Sequence, residues 1–160
     1  MVAILVVCTA NICRSPVVEV LLKDRLAQAG LDDWKVSSAG TWAYQGQKAS
    51  EYSELLMSEL GHDISNHRSR PIDQQLMAES DLILTMESGH AEALRAEFVK
   101  DAYKVHMLTE MAGLNHSVKD PYGGKREDYE RMVSEVTQLI DDGLARIIEL
   151  GTANEKLRVS

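Results

Sequence analysis

The first sixteen residues constrain the fold more than any other stretch. Met1 to Val7 is a continuous apolar run rich in Val and Ile, and such a run reads as a short strand buried on both faces. A loop from Cys8 to Arg14 follows, and then Ser15-Pro16. Ser is a favoured N-cap and Pro is favoured at the first helical position, so a helix is expected to open there. Val17, Val18, Leu21, Leu22, Leu26 and Ala29 then recur at helical spacing, and Gly30 suits the stop.

The rest of the chain keeps alternating. Trp34 to Ala39 reads as a second strand, and Ala49, Tyr52, Leu55, Leu56 and Leu60 give a second amphipathic helix. A short helix is expected from Ile72 to Ala78, a strand from Asp81 to Met86, a helix from Ala91 to Phe98 and a strand from Tyr103 to Leu108. The last helix carries one long stripe from Tyr129 through Met132, Val136 and Ile140 to Ile148. Gly143 inside it costs about 1 kcal/mol relative to Ala, which points to close packing there. Strands alternating with helices imply a parallel sheet covered on both faces. At 160 residues, 1–160 reads as one α/β domain.

Composition removes several function classes. Seventeen Lys and Arg against 25 Asp and Glu give a net charge of -8, so no basic face tracks a nucleic acid. The two cysteines, Cys8 and Cys13, cannot build a disulfide scaffold or a thiolate zinc site. None of the five histidines shows a metal-ligand pattern, and no metal is expected. Met1 to Cys13 is uncharged but well short of the ~20 apolar residues a spanning helix needs, and it lacks the basic start of a secretory signal. No membrane insertion and a cytoplasmic location are expected.

The chemistry concentrates where the first strand ends, because ligands of open α/β sheets bind outside the carboxyl ends of the strands. Cys8, five intervening residues, Arg14 and Ser15 lie between that strand and a helix N-terminus. A loop so placed turns backbone N–H groups inward, and the helix dipole adds positive potential. Arg14 brings a planar fork of donors suited to a tetrahedral oxyanion. The same field favours the thiolate of Cys8. A thiolate at the floor of an oxyanion cradle is a nucleophile aimed at phosphorus.

Val7-Cys8-x5-Arg14-Ser15-Pro16, Ser38-Ala39-Gly40, Asp120-Pro121-Tyr122 and the closing helix together resemble the low-molecular-weight protein tyrosine phosphatases of bacteria, over nearly the whole chain. The resemblance implies a Rossmann-like, four-stranded parallel sheet and metal-free, cofactor-free hydrolysis of phosphotyrosine in two steps through a phosphocysteine. Cys8, Arg14 and Asp120 are then the catalytic residues, with Asp120 as general acid. Thr9, Ala10, Asn11, Ile12, Cys13 and Ser15 form the phosphate-binding loop, with Ser38 and His67 supporting it. Ile12, Trp42, Tyr44 and Tyr122 line the substrate pocket, and Cys13 is a redox partner for Cys8. The implied partner is a phosphotyrosine-containing protein, a tyrosine kinase being one candidate.

Departures from the family pattern sharpen the questions. Ala10 stands where Gly is common, which puts a left-handed backbone angle there at issue. Gln47-Lys48 replaces a proline-bearing stretch, and Gly123 replaces a second aromatic residue. Arsenate reductases share the loop but use two further cysteines, and none follows Cys13. A protein arginine phosphatase of the same fold is the rival reading, and it carries Thr where Ile12 stands. A phosphate-binding module without catalysis would need neither the thiol nor the acid.

Overall fold

Strand β1, Ala3–Cys8, pairs in parallel with β2, Lys35–Gly40, on one side and with β3, Leu82–Thr85, on the other. Strand β4, Val105–Met107, extends the sheet beyond β3, so the order is β2-β1-β3-β4 with every pair parallel. This computed structural model describes all 160 residues. Helix α1 spans Arg14–Gln28, α2 Glu51–Glu59, α3 Gln74–Glu79, α4 Ser88–Glu97, α5 Leu108–Met111 and α6 Arg126–Val159.

The apolar run of β1 is continuous because both its faces are buried. Val2, Ile4, Val6 and Cys8 belong to a core shared with Val18 and Leu22 of α1 and with Val136 and Ile140 of α6. Leu5 and Val7 belong to a second core with Met77 of α3 and Ala91 and Leu94 of α4. Complete burial of a Val, Leu or Ile side chain contributes roughly 1.5–3 kcal/mol, so this central strand anchors both layers. Helix α6 packs where expected: a Cβ on Gly143 would meet the Met111 Cβ at 2.7 Å. Its far end is tied down by Arg158, whose Nε donates to buried Asp81 at 2.5 Å.

Several element ends shift from the sequence expectation, and four of the differences have a visible cause. Helix α1 starts at Arg14 after Cys13 as N-cap, so Ser15 lies inside the first turn and its hydroxyl is spent elsewhere. Helix α4 begins at Ser88, because Glu87 and His90 close a capping box ahead of the apolar residues. Strand β4 loses its first residues to a 3-10 turn, Val99–Lys104. There the Lys104 ammonium turns back to donate to the Met77 carbonyl at 2.9 Å while pairing with Asp101 at 2.6 Å. Leu108, expected to end that strand, instead opens α5.

Candidate active site

The loop after β1 has most of its carbonyls taken and its amides free. The carbonyls of Cys8, Thr9 and Ile12 accept from the backbone N–H groups of Thr41, Trp42 and Ser50. Those of Asn11 and Cys13 accept from His67 Nε2 at 2.7 Å and Ser53 Oγ at 2.8 Å. The N–H groups of Thr9 through Cys13 donate to no protein acceptor. Donors left unpaired at the opening of a helix form an anion cradle. The arrangement needs the two chain segments almost in contact: a Cβ on Gly40 would lie 2.4 Å from the Thr9 carbonyl oxygen. That close approach accounts for the glycine in Ser38-Ala39-Gly40.

Asn11 carries the turn. It is the one non-glycine residue with positive φ, at 60°, so the left-handed position is Asn11 and not Ala10. Asn tolerates this angle better than most residues. Its side chain is also fully engaged. Nδ2 donates to Ser15 Oγ at 2.7 Å and Ser38 Oγ at 2.9 Å, and Oδ1 accepts from Arg70 N–H at 3.0 Å. The Ser38 hydroxyl in turn donates a hydrogen bond to Glu19 Oε1 at 2.6 Å. Ser15 Oγ lies 3.0 Å from Cys8 Sγ, and since it already accepts from Asn11, its proton is free for the sulfur.

Arg14 is 1% exposed, yet its Nε has no partner. The rest of the guanidinium is clamped. NH1 donates to the Val118 carbonyl at 2.8 Å and pairs with Glu87 at 2.7 Å, and NH2 lies 3.5 Å from Asp120 Oδ2. An orphaned N–H on a buried cation is costly unless a ligand meets it. Asp120 sits on a tight turn in which Gly123 takes φ 78° and a Cβ on Gly124 would strike the Pro121 carbonyl oxygen at 2.8 Å. The turn leaves the Asp120 carboxylate partly exposed, with Oδ1 accepting from Tyr122 N–H at 3.0 Å.

One cavity of about 330 Å³ collects these groups: Cys8, Arg14 and Asp120 line it together with Ile12, Trp42 and Tyr122. Thr9, Ala10, Cys13, Tyr44 and Gln47 complete the lining. Asn11, Ser15 and Ser38 are buried behind the loop, and His67 braces it from outside. Trp42 and Tyr44 are 78% and 70% exposed, so they form an open rim and do not cover apolar core. The two thiols are not engaged with one another: Cys13 Sγ faces the Tyr129 hydroxyl at 3.5 Å, and both cysteines are free.

Sequence reading missed Glu87, His90 and Val118. The available signal for Glu87 was its place just past the carboxyl end of β3, where such sheets put their ligands. His90 is buried, and burial pushes it below the usual histidine value of 6.5, with Arg14 acting in the same direction against Glu87. In the neutral ring Nδ1 accepts from Glu87 N–H at 3.2 Å, so the proton sits on Nε2, which donates to Thr9 Oγ1 at 2.8 Å.

Comparison with known proteins agrees with this geometry. A family model described as low molecular weight phosphotyrosine protein phosphatase matches residues 3–152. A protein-arginine-phosphatase of Bacillus subtilis is 35% identical over 86% of this chain and 91% of its own length. A low molecular weight protein-tyrosine-phosphatase of Streptomyces coelicolor is 34% identical over 86% of this chain and 88% of its own. The crystal structure of a low molecular weight protein tyrosine phosphatase from T. tengcongensis superposes with a TM-score of 0.85 at 34% identity, covering 91% of this chain and 99% of that one.

Proposed function

The chain belongs to the low-molecular-weight phosphotyrosine protein phosphatase family and is a phosphatase acting on phosphoproteins; on that premise we propose that it hydrolyses protein phosphotyrosine through a phosphocysteine on Cys8. The observation that carries the reading is the unpartnered Arg14 Nε in one cavity with Cys8 and Asp120. The free loop amides and Arg14 hold the three non-bridging oxygens as charge spreads over them, which is where phosphoryl transfer gains most of its rate. Cys8 attacks phosphorus, and Asp120 gives its proton to the departing phenolic oxygen. Water then attacks the phosphocysteine while Asp120 takes its proton, and the leaving sulfur is received by the Ser15 hydroxyl.

Ile12 supports phosphotyrosine over phosphoarginine. Identities of 35% and 34% to an arginine and a tyrosine phosphatase do not separate the two substrates, so the reading rests on the side chain at the cavity wall. Ile12 is apolar, branched and stiff at χ1, a smooth flank for an aromatic ring. A guanidinium against it leaves donors unpaired, at about 1–3 kcal/mol for each. An autophosphorylated tyrosine kinase is one substrate of suitable chemistry. Cytoplasmic location is part of the same proposal, because a thiolate nucleophile needs a reducing compartment. The test is parallel turnover of phosphotyrosine and phosphoarginine peptides. Phosphotyrosine is expected to be faster by roughly one to two orders of magnitude, with Ile12→Thr narrowing the gap; faster phosphoarginine turnover by the wild type would overturn the assignment.

A further inference from the structure

Trp42 and Tyr44 stand at the cavity rim with most of their surface in water, and their rings are 6.5 Å apart. Packing does not hold rings so exposed, so their position rests on the backbone beneath them. For Trp42 that support is the phosphate loop itself, through its N–H to the Thr9 carbonyl at 2.9 Å. For the turn from Tyr44 to Gln47 the support is one residue. Ser69 is 0% exposed and makes four hydrogen bonds to that turn. Its hydroxyl donates to the Tyr44 carbonyl at 2.5 Å and accepts from Gln47 N–H at 2.9 Å. Its N–H donates to the Gln47 carbonyl, and its carbonyl accepts from Gly46 N–H, both at 2.7 Å.

The neighbours of Ser69 perform a different task. His67 and Arg70 bind Asn11 in the phosphate loop, so the short segment 67–70 braces the phosphate cradle with its two ends and the aromatic rim with its middle. We propose that Ser69 is a positioning residue for substrate recognition, setting the Tyr44–Gln47 wall against the group that carries the phosphate while leaving phosphate binding to its neighbours. The proposal deepens the assigned activity and rests on it. Removing the hydroxyl unlocks the wall without touching Asn11, Arg14 or Cys8.

The experiment separates the two tasks by comparing a phosphorylated peptide with inorganic phosphate, which needs only the cradle. Ser69→Ala should raise KM for a phosphotyrosine peptide about 5- to 30-fold, the effect of losing buried hydrogen bonds. Its kcat and its inhibition constant for inorganic phosphate should stay within about twofold. Gly46→Ala provides a second variant that leaves Ser69 intact. Gly46 is exposed with φ 88° and open space around it, so a side chain there strains only the turn and should give the same split. In a Tyr44→Ala background, Ser69→Ala should add less than about twofold, since coupled residues are not additive. An unchanged KM in both variants, or a phosphate inhibition constant rising in step with KM, would overturn the proposal. If the wild type prefers phosphoarginine, the tyrosine assignment falls on that result alone, and the split is read on the preferred peptide.

Discussion

The Ser15 hydroxyl stands 3.0 Å from the Cys8 sulfur with its proton committed to that side, because its oxygen already accepts from Asn11 at 2.7 Å. A sequence rule places this serine as a helix cap, and the fold instead spends it on the nucleophile. A hydrogen bond to a charged group is worth about 1.5–3 kcal/mol, which converts to roughly 10- to 100-fold in rate. Ser15→Ala should therefore lower kcat by that factor while circular dichroism and phosphate binding persist. The loss should fall on the second step, where Cys8 must leave as an anion, so phosphocysteine should accumulate in the variant.

Asp120 should reveal itself through the leaving group. Its carboxylate faces the same cavity as Cys8 and lies 3.5 Å from Arg14. General acid help is worth ~10²–10⁴-fold, and an activated phenolate needs less of it. Asp120→Asn should slow a phosphotyrosine peptide far more than a nitrophenyl phosphate, measured as kcat/KM for each. Equal slowing would show that the proton comes from elsewhere.

His90 should make stability depend on pH. Burial holds it below the usual 6.5, and His106 is lowered for the same leading reason. The unfolded chain therefore binds protons near pH 6.5 that the folded chain refuses. Stability should be full above about pH 6.5 and fall as the solution is acidified, until the folded histidines also protonate. Urea midpoints between pH 7.5 and pH 5 should show this slope. His90→Gln, which retains an N–H donor for Thr9, should flatten part of it, and an undiminished slope would place the effect elsewhere.

Cys13 should protect Cys8 from overoxidation. Burial pushes the Cys13 thiol up, which disfavours its thiolate and leaves Cys8, the proposed nucleophile, to meet peroxide first. Peroxide oxidises Cys8 to a sulfenic acid and is itself reduced to water. Cys13 then forms a disulfide with Cys8 and releases a second water. This requires Cys13 to leave Tyr129, its present partner at 3.5 Å. Wild type treated with peroxide should regain activity in dithiothreitol, whereas Cys13→Ser should pass to irreversible oxidation. Equal recovery would remove the protective role.

The parts of the site legible in the sequence are those whose positions follow from backbone physics. An apolar run and a Ser-Pro helix start locate Cys8 and Arg14 without tertiary knowledge, whereas Asp120 was reached through the family resemblance of Asp120-Pro121-Tyr122. Gly143 was likewise legible, because a glycine inside an apolar helical stripe points to close packing, and a Cβ there would meet Met111. Glu87, His90 and Ser69 were not legible, because each is a single ordinary polar residue delivered to the site by strand pairing. Glu87 arrives at Arg14 from 73 positions away only because β3 lies beside β1. Fine boundaries failed where side chains overrode local preference, as with Ser15 drawn to Cys8 and Lys104 drawn to the end of α3.

The central claim is that Cys8 carries the phosphate during turnover. Rapid quench of a radiolabelled phosphotyrosine peptide with the wild-type enzyme, followed by peptide mapping, reads this directly. The account predicts a burst of one tyrosine released per enzyme and label on the peptide containing Cys8, absent in Cys8→Ser although that variant still binds inorganic phosphate. Turnover without labelled protein, or full activity in Cys8→Ser, would contradict it.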